Sequence, residues 1–311
     1  MQNIALKVDV DTWRGTLEGV PALLRLFEKY QVQATFLFSL GPDHTGRALR
    51  RIFRPGFLAK VRRTSVTSHY GLKTLLYGTL LPGPHIGRKA SHIMREVAAA
   101  GHETGVHCYD HIRWQDFVAN KDRRWTEREM QRAINVYVDV FSQPPKTLGA
   151  AGWQINAHAL MLEEQMGFDY ASDVRGESAF YPMMNGQTSH CPQISTTLPT
   201  LDELIGCHGI SDDNVHDAIF KASHKPVAHG HVYTLHAELE GMQLLPVMER
   251  LLQMWQAAGF KIGTLRNIYE SLPLNALETR EVIWGEVPGR SGLLALEGSV
   301  INQQPPAEQV V

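Results

Sequence analysis

The chain has 311 residues, 43% hydrophobic and 20% charged, and its 30 Lys+Arg against 32 Asp+Glu leave a net charge of -2. So even a balance excludes a chain held open by self-repulsion and a globally basic nucleic-acid binder. The length allows a large core, either as one α/β barrel of roughly 250 residues with insertions or as two smaller domains.

The opening MQNIALKVDVDTW has acidic residues where an export signal needs an apolar run, so it is expected to be a first strand of a protein that is not exported. Cys108, Cys191 and Cys207 are odd in number and widely spaced, which points to a reducing compartment. No stretch approaches the roughly 20 apolar residues of a membrane span, and the longest candidate, Leu72 to Leu81, contains Lys73 and Gly78. In chain order, hydrophobic periodicity predicts a strand over 4–10, a helix over 16–30 and a strand over 33–40. Further on it predicts a helix over 91–101, a strand over 102–107, a helix over 126–142, a strand over 146–151, a helix over 157–166 and a strand over 168–173. The last units are a strand over 231–236, a helix over 243–258, a strand over 260–264 and a short helix over 265–271. Repeated strand–helix units imply an α/β fold with a mostly parallel sheet, as a barrel or an open sheet. The polar tail from about 291 is expected to be loosely ordered.

Residues 44–95 break the rhythm. They hold eleven Lys and Arg and no acid, so this segment carries +11 and the remainder -13, which together make the -2. Its cations are interleaved with Ile52, Phe53, Phe57, Tyr70, Leu75, Leu76 and Leu80. Such a mixture suits either a solvated helical excursion or the face of an anionic membrane.

Four clusters stand where strands are predicted to end. Asp9 and Asp11 have the i, i+2 spacing that directs both carboxylates to one face of a strand, although two solvated acids in a turn would look the same. His107 and His111 have a spacing that puts both imidazoles on one side of a helical turn, within reach of one metal ion, and chance pairs are expected among 15 histidines. His236 ends a strand of β-branched and aromatic residues, where a structural histidine is common. Asp173 and Arg175 stand at another predicted strand end, where an ion pair between them is the simple reading. Together these residues read as a barrel site with an open metal position, since a closed structural zinc site would need a fourth ligand and is commonly rich in cysteine.

In order and spacing, DVDTWRGTLEGVP, FSLGPD, GVHCYDH, AAGWQ, SDVRG, TLPTLDE and TLHAELEG resemble the polysaccharide deacetylase, or NodB homology, superfamily, from about residue 3 to about 270. They are most similar to its bacterial deformylases acting on a formamido-arabinose carried on undecaprenyl phosphate, in lipid A modification and resistance to cationic peptides such as polymyxin. The resemblance implies a distorted (β/α) barrel over 1–275 that includes the 44–95 insertion, with 276–311 as a partly irregular extension. It implies one divalent ion, zinc, manganese, cobalt or iron, on Asp11, His107 and His111, with Asp9 as the base that activates water. His236 matches the acid that protonates the leaving amine, and Asp173 the acid that orients His236. Two departures stand out: Val10 separates the two acids, which the family usually has adjacent, and Ala150-Ala151-Gly152-Trp153 lacks the Arg that normally pairs with the base. Arg175 or Arg14 are candidates to replace that Arg in contact with substrate, and Trp153 keeps an aromatic wall. With this substrate, Arg50, Arg51, Arg54, Lys60, Arg62 and Arg63 are expected to meet the lipid phosphate or the cytoplasmic face of an anionic inner membrane, and no nucleic acid is expected. The alternatives are a deacetylase of another N-acyl sugar and a non-enzymatic lipid-binding barrel.

Overall fold

A computed structural model describes residues 3–48 and 74–301. The six cations from Arg50 to Arg63 assigned to the lipid face lie outside the described residues. Those described contain twelve strands of one sheet: β1 (Asn3–Val10), β2 (Thr35–Ser39), β3 (Glu103–Cys108), β4 (Thr147–Leu148), β5 (Tyr170–Ala171), β6 (Ala179–Met184), β7 (Gln187–Thr188), β8 (Gln193–Ile194), β9 (His231–His236), β10 (Lys261–Gly263), β11 (Thr279–Glu286) and β12 (Leu293–Val300).

β1 is buried from its second residue to its last, as a strand must be when it has neighbours on both edges and packing on both faces. It runs parallel to β2 and β9, and its first three residues also pair with β10. The order β9-β1-β2-β3-β4-β5-β8 is parallel throughout. Closure comes from a loop rather than a ladder: after β8, Thr197 N and Leu198 N both donate to Val232 O of β9. The result is the expected α/β barrel, distorted where it closes.

Alternation along β1 sorts its side chains. Leu6, Val8 and Val10 enter the main core with Phe36, Phe38 and the buried face of helix Val20–Tyr30. Each such fully buried aliphatic side chain contributes roughly 1.5–3 kcal/mol. Ala5 points the other way, into a floor of Tyr170, Ile194, Val232, Leu265 and Ile268. Lys7 and Asp9 follow on that inner face, above the floor.

Several expectations change in detail. The helix expected over 16–30 opens as a π-helical turn, Gly15–Gly19, before Val20–Tyr30. That turn lies close on the end of β9, since a Cβ at Gly19 would sit 2.0 Å from Ala237 O. The strands expected over 146–151 and 168–173 shrink to two residues each, β4 and β5. The tail from 291 is not loose up to Val300, because β12 pairs antiparallel with β11, and β11 runs parallel to β6. A strand that gains its partner from distant chain carries little local signal.

Candidate active site

The turn after β1 carries Asp11, and it is clamped from the end of the neighbouring strand β9. Glu238 Oε1 accepts from Asp11 N (3.1 Å), Thr12 N (2.8 Å) and Thr12 Oγ1 (2.8 Å). Burial, reinforced by the Asp11 charge, pushes the Glu238 carboxyl well up, and its Oε2 is buried with no partner among the described residues. On the other side, Asp43 Oδ2 accepts from Trp13 N at 2.9 Å. Neither Glu238 nor Asp43 was expected from the sequence, and each is a lone acid whose role depends on a backbone it meets only in three dimensions.

β3 delivers His107 through a bulge. Phe38 pairs with Val106 and Ser39 with Cys108, so His107 is the extra residue and its ring turns inward. His111 opens helix His111–Phe117, which Asp110 caps by accepting from Arg113 N at 3.1 Å. The two histidines therefore do not share one helical turn, as their spacing suggested. They come from a strand end and the helix start after it, and their rings still lie 5.3 Å apart. His44 Nδ1 bonds Asp110 Oδ2 at 2.6 Å, tying the root of the basic insertion to the same cap.

Asp11, His107 and His111 converge, with one ligand atom of each within 4.8 Å of the others. His107 Nδ1 lies 2.6 Å from Gly149 O, which can only accept, so this nitrogen carries the proton. In the neutral ring the Nε2 lone pair then faces Asp11 Oδ1 at 3.2 Å, and His111 Nε2 lies 3.4 Å from Oδ2. Electron-rich atoms at these distances call for a positive charge between them, either a proton on the ring or a bound cation. Burial works against charge on Asp11 and on His107. For Asp11 the fields of His111 and His107 outweigh it and hold the carboxyl below its usual range. For His107 the fields of Asp9 and Asp11 outweigh it and raise the imidazole. The donor set fits a divalent ion, with open positions for water and substrate.

Asp9 and His236 flank this cluster as directly paired residues of β1 and β9. Asp9 Oδ1, 3.9 Å from His107 Nδ1, is buried without a hydrogen-bond partner among the described residues, as is His236 Nδ1. Glu240 Oε2 accepts from His236 N at 2.9 Å and so holds the strand end.

The remaining expected residues serve the wall. The hydrogen bonds of Asp173 run elsewhere than to His236: its Oδ1 accepts from Ala150 N (2.5 Å) and its Oδ2 from Gln193 Nε2 (2.8 Å). Burial raises its carboxyl and, with the Asp173 charge, pushes neighbouring Glu163 well up. Asp173 thus anchors the loop that carries Trp153. Trp153, at φ 52 after Gly152 at φ 63, is only 2% exposed, and its ring centre lies 5.0 Å from the Arg175 guanidinium and 4.7 Å from that of Arg290. It is a buried support rather than an open aromatic wall. Arg175 pairs with Glu203 at 2.8 Å, not with Asp173, and does not replace the missing base partner. Arg14 pairs with Glu18 at 3.1 Å near the surface. Lys7, absent from the expectations, is fully buried on the inner face beneath Asp9. Strand alternation marks it, since 7, 9 and 11 share a face.

Residues 3–171 match the family described as polysaccharide deacetylase. A Shewanella sediminis protein named as the 4-deoxy-4-formamido-L-arabinose-phosphoundecaprenol deformylase ArnD is 36% identical over 309 residues, covering 97% of this chain and 96% of that one. A Wigglesworthia glossinidia brevipalpis protein of the same name is 30% identical and covers 93% of this chain and 100% of its own. A solved structure from Mycobacterium smegmatis, named as a polysaccharide deacetylase, superposes with a TM-score of 0.60 at 17% identity, over 92% of this chain and 96% of that one. That last likeness bears on the fold alone.

Proposed function

The chain belongs to the polysaccharide deacetylase family and is a hydrolase of amide C–N bonds, and on that premise we propose that it removes the formyl group from 4-deoxy-4-formamido-L-arabinose carried on undecaprenyl phosphate. The products are formate and the free-amine sugar lipid. The observation that carries this reading is the Asp11, His107 and His111 cluster with unpartnered Asp9 Oδ1 and His236 Nδ1 beside it. Likeness to named deformylases along nearly the whole chain supports the choice of substrate.

Asp11, His107 and His111 would hold the divalent ion, which would supply Lewis acidity at the amide carbonyl. Asp9 takes the proton from the attacking water at its unpartnered oxygen. His236, held at its backbone by Glu240, gives a proton to the leaving nitrogen as the C–N bond breaks. Glu238 fixes the turn that aims Asp11.

The lipid carrier calls for work at a membrane surface. No helix among the described residues is long and apolar enough to cross one. Leu80 is 80% exposed in the described part of the basic insertion, which supports peripheral docking from the cytoplasmic face of an anionic membrane. The resulting aminoarabinose lipid would serve lipid A modification and polymyxin resistance.

Formate release from the purified lipid-linked formamidosugar tests the reading, before and after chelation and with a divalent ion restored. Release that stops on chelation and returns with the ion is the expected result. A metal-supplied protein that frees no formate would sink the assignment.

A further inference from the structure

Lys7 has no part in the chemistry above, and its position is costly. A lysine side chain with no exposed surface is sustained only by opposite charge and hydrogen bonds. Its Nζ donates to Ser172 O at 2.7 Å and lies 5.6 Å from the centre of the Trp153 ring. Space for it comes from Gly149, where a Cβ would stand 3.0 Å from Lys7 Cε and 3.1 Å from Nζ. The same Gly149 supplies the carbonyl that orients His107. Burial lowers the Lys7 pKa, and Asp9 is the foremost charge opposing that, followed by Asp173.

The two acids differ in what they have left to offer. Asp173 already accepts from Ala150 N and Gln193 Nε2. Asp9 shares the inner face of β1 with Lys7, and its Oδ1 has no donor among the described residues. The other cations near Trp153 are committed elsewhere, Arg175 and Arg290 both to Glu203. Lys7 thus balances both acids, Asp9 foremost, acting through the dry interior between floor and site.

We propose that Lys7 is the positioning residue of Asp9, its buried positive charge anchoring the carboxylate toward the water that Asp9 deprotonates. Lys7 touches neither substrate nor metal. The proposal rests on Asp9 being the base. It assigns to a lysine two residues earlier in the same strand the role for which Arg175, paired with Glu203, and Arg14, paired with Glu18, were the candidates.

The test compares Lys7→Met, which keeps the stem and drops the charge, with Lys7→Arg, which keeps the charge. Each full-length protein is assayed for formate release, metal content and Tm. Lys7→Met is expected to lower kcat about tenfold or more, a fraction of what a general base contributes. KM and metal content should stay at wild-type values, Tm should not fall in step with activity, and Lys7→Arg should recover most of the rate. If Lys7→Met is insoluble because Asp173 is left uncompensated, Lys7→Met with Asp173→Asn removes both charges, and the same loss of kcat is expected. Wild-type kcat in either methionine variant overturns the proposal. So does a loss that tracks metal or Tm, or a Lys7→Arg protein as slow as Lys7→Met. Wild-type protein that frees no formate overturns the proposed function and this role with it, whereas an active wild type with an unaffected Lys7→Met variant removes the role alone.

Discussion

Two polar regions meet at the top of the barrel, and they differ in how completely their atoms are paired. Around Arg175, Glu203 and Arg290 the charges are saturated: Glu203 takes both guanidinium groups, and Arg290 also bonds Thr200 and Asp202. At the ends of β1, β3 and β9, Asp9 Oδ1, Asp11 Oδ1, His236 Nδ1 and Glu238 Oε2 are buried without hydrogen-bond partners among the described residues. Unsatisfied buried polar atoms are expensive, and four of them gather where the proposed ion, water and substrate would bind. The saturated region buries comparable charge and only builds the wall. Burial and charge are alike in these two regions, and pairing is what differs between them.

The largest effect should follow from His107→Ala. Formate release should drop to background and bound metal fall with it, measured on one preparation; full turnover without metal would place the chemistry elsewhere. Next come the two acids. Asp9→Asn should keep its metal and lose about 10²–10⁴-fold in kcat, whereas Asp11→Asn should lose the metal itself. Elemental analysis of the pair decides, and the opposite pattern would exchange their roles.

The saturated region should respond in stability. Glu203→Ala strands buried Arg175 and should cost about 3–5 kcal/mol in denaturant unfolding, with little change in metal per folded molecule. A strong loss of metal at unchanged stability would erase the contrast between the regions.

A histidine in neither region provides the baseline. Burial lowers the His102 pKa to about 4 from 6.5, and its Nδ1 accepts from Ala34 N at 3.1 Å, which requires the unprotonated ring. The folded-state pKa lies below the unfolded one, so this stabilisation is complete above about pH 6.5 and drains away as the pH falls toward 4. On the order of 3 kcal/mol is at stake, and Tm followed over that window, against His102→Gln, would reveal it. The smallest effect is expected from Leu80→Asp. Stability should change by less than about 0.5 kcal/mol while flotation with anionic liposomes weakens; undiminished flotation would remove Leu80 from the docking surface.

The clustering of the candidate residues was legible because they sit where hydrophobic runs stop. Asp9, Asp11, His107 and His236 each end or follow a strand that periodicity identifies, and parallel strands bring such ends together. The spacing of His107 and His111 was informative for a different reason than it suggested, since a bulge and a helix start, not one helical turn, bring them together. Asp173 was misread because its partners, Ala150 N and Gln193, lie 23 and 20 residues away and carry no mark in the chain. β11 and β12 escaped notice for a similar reason, as their order depends on β6 and on contacts with Arg175.

By itself, the sequence determined the βα rhythm, the first strand, the strand-end acids and histidines, and the cationic segment, because periodicity and charge are local properties of the chain. Only the tertiary structure decided which of the polar residues have partners. It put Glu238 under the Asp11 turn, gave Arg175 to Glu203, closed the barrel through Thr197 and buried Lys7 beneath Asp9. Satisfaction of a buried charge is a property of every element packed around it, and those elements come from opposite ends of the chain.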